Sequence, residues 1–125
     1  SNKLDKIVGL DARGFIFGSV LAYALAVPFV MVRKPGKLPD ECISIDYDLE
    51  YGTNTFELHK NAIAKNDNVL IVDDLLATGG SVQAVIKLIQ ELDANVVALE
   101  CVIELGFLNA RSLLGIDINA QITYD

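Results

Sequence analysis

The chain has 125 residues, 52% of them apolar, with a formal net charge of −7 and an acidic isoelectric point near 4.5. That length suits one domain, 1–125, with a sizeable core, and the acidic balance gives no electrostatic footprint for nucleic acid. Two cysteines, Cys42 and Cys101, are too few for a disulfide framework and suggest no metal site, so a reducing cytoplasm is the expected setting.

Ser1-Asn2 resembles the remnant of an expression tag, and an apolar strand is predicted almost at once, from Lys6 or Ile7 to Leu10. It ends in Asp11-Ala12-Arg13-Gly14, ahead of a helix predicted from Phe15 to about Leu25. This loop sets a guanidinium beside a glycine, which suits a diphosphate-sized anion gripped through planar, charge-assisted hydrogen bonds. Taken alone, Arg13 reads equally well as an exposed helix-start arginine paired with Asp11. The uncharged run from Phe15 to Val32 has the length of a membrane helix, but Gly18 and Pro28 interrupt it. A buried helix followed by a buried strand, Pro28 to Val32, explains it better, and no membrane contact is expected.

Arg33-Lys34-Pro35-Gly36-Lys37-Leu38-Pro39 then places three of the ten basic residues within five positions. In an acidic chain such a local cluster is more informative than it would be in a basic one. The alternative is a solvated, proline-stiffened turn, which fits Lys34 better than Arg33 or Lys37. From Glu41 to Tyr51, and again from Thr53 to Leu58 after Gly52, alternation is partial, with acidic and aromatic residues interleaved. Two strands joined through a mobile excursion, rather than a packed hairpin, are predicted there. On the residues alone, Glu50 and Tyr51 form an ordinary exposed pair on a strand edge. His59, the sole histidine, is expected to face solvent at a strand end and is given no role as a base. Asn61 to Asn68 reads as a short helix or turn.

The stretch that organises the chain is Val69 to Ser81, Val-Leu-Ile-Val-Asp-Asp-Leu-Leu-Ala-Thr-Gly-Gly-Ser. Val69 to Val72, β-branched at three of four positions, has the pattern of a strand buried on both faces of a parallel sheet. Asp73 and Asp74 are predicted to end it. Ala77-Thr78-Gly79-Gly80-Ser81 then forms a small-residue turn into an amphipathic helix from Val82 to Leu92. Glycines allow close backbone approach to an anion, and the first amides of a helix lack internal partners. No Gly-Lys-Ser/Thr follows the glycines, which excludes a Walker-type loop. Two adjacent carboxylates at a buried strand end repel and are costly to desolvate, a cost easier to understand if a ligand or cation sits beside them.

Ala84, Val85, Leu88, Ile89 and Leu92 fall on one helical face and are assigned to the core. Val96 to Ile103 is a further apolar strand, Phe107 to Leu114 a short helix and Ile116 to Thr123 a last strand. Repeats and low-complexity segments are absent. The alternation predicts an open, mainly parallel α/β sheet flanked by helices, with a ligand crevice at the carboxyl ends of its strands.

Val69 to Ser81 resembles the phosphoribosyl pyrophosphate (PRPP) signature of type I phosphoribosyltransferases, in the form carried by the adenine phosphoribosyltransferase family. The Arg-Gly-Phe at Arg13, the Arg-Lys-Pro-Gly-Lys-Leu-Pro segment and Leu49-Glu50-Tyr51-Gly52 resemble further family segments in the same order. The resemblance implies the type I fold and transfer of ribose 5-phosphate from PRPP to adenine, giving AMP and diphosphate. Ribose 5-phosphate would lie on Leu75, Leu76, Ala77, Thr78, Gly79, Gly80 and Ser81. Asp73 and Asp74 would accept hydrogen bonds from the ribose hydroxyls and stabilise positive charge on the sugar. Arg13, Arg33, Lys34 and Lys37 would meet diphosphate, in part across a homodimer interface. Glu50 would manage a proton on the purine and Tyr51 would close the lid. Mg²⁺ would be held mainly by substrate, with no direct protein ligand.

Ser81 stands where threonine is commoner, a change that keeps the hydroxyl. Roughly the first third of the usual family chain has no counterpart, so the purine pocket is expected to lack cover and turnover by this chain to suffer. Two alternatives share the loop: transfer to xanthine or hypoxanthine, and a non-catalytic regulator that senses PRPP. The acidic balance counts against the second, which would need a basic face for nucleic acid.

Overall fold

The computed structural model describes residues 3–11, 13–36, 38, 41–49 and 52–125, with backbone alone for 48, 49, 52 and 53. Its elements are β1 (Lys6–Leu10), α1 (Gly14–Leu25), β2 (Phe29–Val32), β3 (Cys42–Leu49), β4 (Gly52–His59), β5 (Asn68–Leu76), α2 (Gly80–Glu91), β6 (Asn95–Leu105), a 3₁₀ turn (Gly106–Leu108), α3 (Ala110–Leu114) and β7 (Asp117–Tyr124). Five strands form a wholly parallel sheet in the order β2-β1-β5-β6-β7. The chain builds outward from β1 to β2, then returns to the other side of β1 and builds toward β7. The reversal lies between β1 and β5, and in doubly wound sheets that switch point opens a crevice at the strands' carboxyl ends.

Side-chain alternation along the strands divides the core in two. Val8, Leu10, Val30, Val32, Val69 and Ile71 face α2, whose Val82, Val85, Ile86, Leu88 and Ile89 pack against them. Ile7, Leu70 and Val72 point the other way and pack with Ala22 of α1. The predicted doubly buried strand is thus found, since Val69 to Val72 bury side chains on both faces. The helical face predicted for α2 is also the buried one, with Leu92 partly buried at its end.

Three expectations are corrected. First, β5 does not end at the acidic pair. It continues to Leu76, because Asp73, Leu75 and Leu76 pair with Cys101, Ile103 and Glu104 of β6. Second, α1 is not a buried helix. Only Gly14, Gly18 and Ala22 are buried, the small residues that let it lie close to the sheet, while Ile16, Val20 and Tyr23 are exposed, Tyr23 at 90%. Third, β3 and β4 are no loose excursion but an antiparallel ribbon paired from Cys42↔His59 to Leu49↔Gly52. Tyr47 stacks on Phe56 with centroids 4.8 Å apart, and Ile43 and Ile45 pack onto the core below α2. Cross-strand pairs of this kind hold the ribbon in register. Backbone bonds between Arg33 and Glu57 tie it to the end of β2.

Candidate functional site at the carboxyl ends of β1 and β5

The β1–α1 loop and the β5–α2 loop meet at the switch point. Gly14 makes the approach possible, since a Cβ there would lie 2.8 Å from the Val72 carbonyl oxygen and 3.4 Å from Oδ1 of Asp73. Arg13, at the N-cap of α1, extends its guanidinium toward β5, with Nε 3.1 Å from Oδ2 of Asp74. The alternative pairing of Arg13 with Asp11 is not formed. Asp11 instead lies 3.4 Å from Nε of Arg33 and accepts a hydrogen bond of the same length from the Lys34 amide. Arg33 also sits over the Phe15 ring, 5.5 Å from its centroid.

Asp73 accepts a hydrogen bond from the Asp74 amide at 2.8 Å. Burial pushes its carboxyl up to about 7, and the Asp74 carboxylate beside it adds to the shift, against the opposing pull of Arg13. The acidic pair is thus held at an electrostatic cost, eased by one exposed arginine. Arg13 is 81% exposed, so this ion pair lies open to solvent and contributes little to stability.

Beyond Leu76 the chain turns through Ala77, Thr78 and Gly79. Gly79 adopts φ +90°, a conformation glycine reaches without steric cost. Gly80 opens α2, and the first helical bond runs from the Gln83 amide to the Gly79 carbonyl. No side chain caps this helix start, and the nearest hydroxyl acceptor, Oγ1 of Thr78, is a long 3.5 Å from the Gly80 amide. The helix-start amides are thus left without a side-chain cap, with the hydroxyl-bearing Thr78 and Ser81 on either side of the two glycines, an arrangement suited to a phosphate.

Of the residues singled out in the sequence, Arg13, Asp73 and Asp74 are brought together here, Thr78, Gly79, Gly80 and Ser81 follow at the turn into α2, and Arg33 and Lys34 flank the β1–α1 loop through Asp11. Leu75 and Leu76 lie in β5 rather than in the turn, and the Leu76 side chain is core, 1% exposed. Glu50, Tyr51 and Lys37 lie outside the described residues. His59 is partly buried and borders, with Glu41, Asn61 and Ala62, a hollow of about 760 Å³ whose described lining includes none of the loop residues. Sequence reading missed the Phe15 platform under Arg33 and the Asp11–Arg33 link. Both join residues about twenty positions apart, and no local pattern reports them.

The phosphoribosyl transferase domain family matches residues 1–112. An adenine phosphoribosyltransferase of Clostridium botulinum is 56% identical over 124 residues, 98% of this chain and 72% of that protein. The crystal structure of the adenine phosphoribosyltransferase of Thermoanaerobacter pseudethanolicus superposes with a TM-score of 0.94 at 50% identity, over 99% of this chain and 73% of that one. The enzyme of Saccharomyces cerevisiae, complexed with an imino-altritol bisphosphate and adenine, superposes with a TM-score of 0.90 at 52% identity, over 94% of this chain and 67% of its own. On sequence and on fold, the chain belongs to the adenine phosphoribosyltransferases, within the phosphoribosyl transferase domain family.

Proposed function

We propose that this chain transfers the 5-phosphoribosyl group of PRPP to adenine, giving AMP and diphosphate. The observation that carries the reading is the meeting, at one switch point, of an uncapped helix start, an acidic pair and an arginine poised on that pair. Each piece answers a part of PRPP. The amides opening α2, with Thr78 and Ser81, receive the 5-phosphate. Asp73 and Asp74 accept hydrogen bonds from the ribose hydroxyls, and their negative field stabilises the positive charge that develops on the sugar as the bond to diphosphate breaks. Arg13 turns from Asp74 to the departing diphosphate, a partner with more charge and better fork geometry. Arg33 and Lys34, held beside Asp11, add positive charge next to Arg13, and the resemblance assigns Lys37 to the same diphosphate. Through the family resemblance, Glu50 is assigned to handle the purine proton and Tyr51 to exclude water that would otherwise capture the sugar cation.

Among the described residues no group of three or more His, Cys, Asp or Glu side chains is placed to hold a metal ion. Two adjacent carboxylates beside a phosphate site fit Mg²⁺ held mainly by substrate oxygens, as is usual for this strongly hydrated ion. When bound, Mg²⁺ supplies charge neutralisation on the diphosphate. No helix among the described residues is long and apolar enough to cross a membrane, and with only two cysteines a cytoplasmic setting fits. A homodimer is supported by the exposed apolar stripe of Ile16, Val20 and Tyr23 along α1.

The test is a spectrophotometric assay with PRPP, Mg²⁺ and each purine in turn. AMP from adenine alone is the expected result. Comparable product from hypoxanthine or xanthine would reassign the base, and PRPP binding without transfer to any base would favour a sensor built on the same fold.

A further inference from the structure

Glu104 is the one charged residue buried among those described, 2% exposed at the end of β6, and the phosphoribosyl chemistry gives it no task. It lies in register between Leu76 of β5 and Thr123 of β7, one strand from the phosphate turn. Its carboxylate is filled by Arg111 of α3. Nε donates at 3.1 and 2.9 Å to the two oxygens, and one terminal nitrogen donates at 2.9 Å. The other terminal nitrogen donates to the Ile118 carbonyl at 2.9 Å, and Thr123 donates to Glu104 at 3.3 Å. All three guanidinium nitrogens are therefore spent on protein.

Helix α3 has only five residues, and its N-cap, Asn109, offers no side-chain cap. A helix of that length has no stability of its own, so tertiary contacts must hold it. What it holds in turn is the phosphate loop. A Cβ at Gly79 would meet Cβ of Ala110 at 3.1 Å and the methyls of Leu113 and Leu114 at 3.5 Å. The inner face of α3 is thus the back wall of the turn at its most demanding residue, the one at φ +90°.

We infer that Glu104 and Arg111 are positioning residues for the 5-phosphate site, setting the depth of the Thr78–Gly80 turn by clamping α3 behind Gly79. The inference rests on the phosphoribosyl reading of that turn. Stability alone does not explain the clamp, because the Arg111 side chain is 50% exposed and an ion pair open to solvent on one side contributes little. A bidentate fork instead fixes the distance and rotation of α3, which a phosphate cradle needs and a hydrophobic contact does not enforce.

The test is calorimetric binding of ribose 5-phosphate and, separately, of diphosphate. Arg111→Lys keeps the charge and loses the fork, and it is expected to weaken ribose 5-phosphate about tenfold while leaving diphosphate within about twofold. The double variant Glu104→Leu/Arg111→Met serves as the folding control. It is expected to keep the wild-type thermal midpoint and still bind ribose 5-phosphate weakly. Wild-type affinity for ribose 5-phosphate in either variant, or equal losses for both ligands, would overturn the clamp while leaving the phosphoribosyl reading intact. Absence of ribose 5-phosphate binding by the wild-type chain would overturn both.

Discussion

At the scale of residues, the acidic pair and Arg13 form one charge unit whose members can be tested apart. The Arg13–Asp74 pair is solvent-exposed on the arginine side, so Arg13→Gln should change unfolding free energy by less than about 1 kcal/mol. The same variant should raise KM for PRPP at least about tenfold, since a charge-assisted fork to diphosphate is lost. Chemical denaturation and steady-state kinetics on one preparation decide it, and a variant with unchanged KM would return Arg13 to the role of a surface residue. Asp73 gives a pH dependence of definite sign. Its carboxyl sits at about 7 in the folded chain against 3.8 when unperturbed, so the folded protein holds a proton that the unfolded chain gives up. The stability tied to this group is present below about 4 and is lost as pH rises through about 7. Asp73→Asn should flatten that part of the curve in thermal melts between pH 4 and 8. Ribose hydroxyls and neighbouring cations favour the ionised form, so PRPP binding below pH 7 should release a proton from Asp73. Calorimetry in two buffers of different ionisation enthalpy measures that release, and in Asp73→Asn it should vanish.

At the scale of elements, the two strand–loop–helix units were legible because each is contiguous: an apolar run, a short polar loop with glycine, and a helix. Gly79 tests the second unit. An alanine there must adopt φ +90° and press its Cβ on Ala110, so Gly79→Ala should cost about 1–3 kcal/mol in urea unfolding and weaken the 5-phosphate site. What the sequence could not show depended on distant partners. The Asp73-Asp74-Leu75-Leu76 segment looks like the start of a loop until β6 is beside it, when pairing with Cys101, Ile103 and Glu104 keeps it extended. The ribbon β3–β4 has imperfect alternation, and its order comes from the Tyr47–Phe56 stack and from Ile43 and Ile45 resting on the core. Glu104 and Arg111 are seven residues apart, yet their pairing depends on β6, the 3₁₀ turn and α3 folding back together. Asp73 to Ser81, the residues proposed for phosphate and ribose, lie in one run, so their pattern is visible in the sequence. The Asp11–Arg33 link and the clamp behind Gly79 are not.

At the scale of the molecule, topology explains why chemistry from both ends of the chain's first eighty residues meets in one crevice. The reversal between β1 and β5 leaves their following helices on opposite faces of the sheet and their loops side by side. Among the apolar surfaces this layering leaves uncovered is the outer stripe of α1. If a second copy covers it, Val20→Glu should shift sedimentation from dimer toward monomer without lowering the thermal midpoint by more than a few degrees. A wild-type chain that sediments as a monomer would remove the homodimer.

The placement of PRPP across the two loops is tested most directly by hydrogen exchange with and without PRPP and Mg²⁺. Slowed exchange is expected in two segments, around Arg13–Gly18 at the start of α1 and around Ala77–Gln83 at the start of α2, with ribose 5-phosphate alone protecting only the second. Protection confined instead to the hollow beside Glu41, His59 and Asn61, or no protection in either loop at saturating PRPP, would contradict the site.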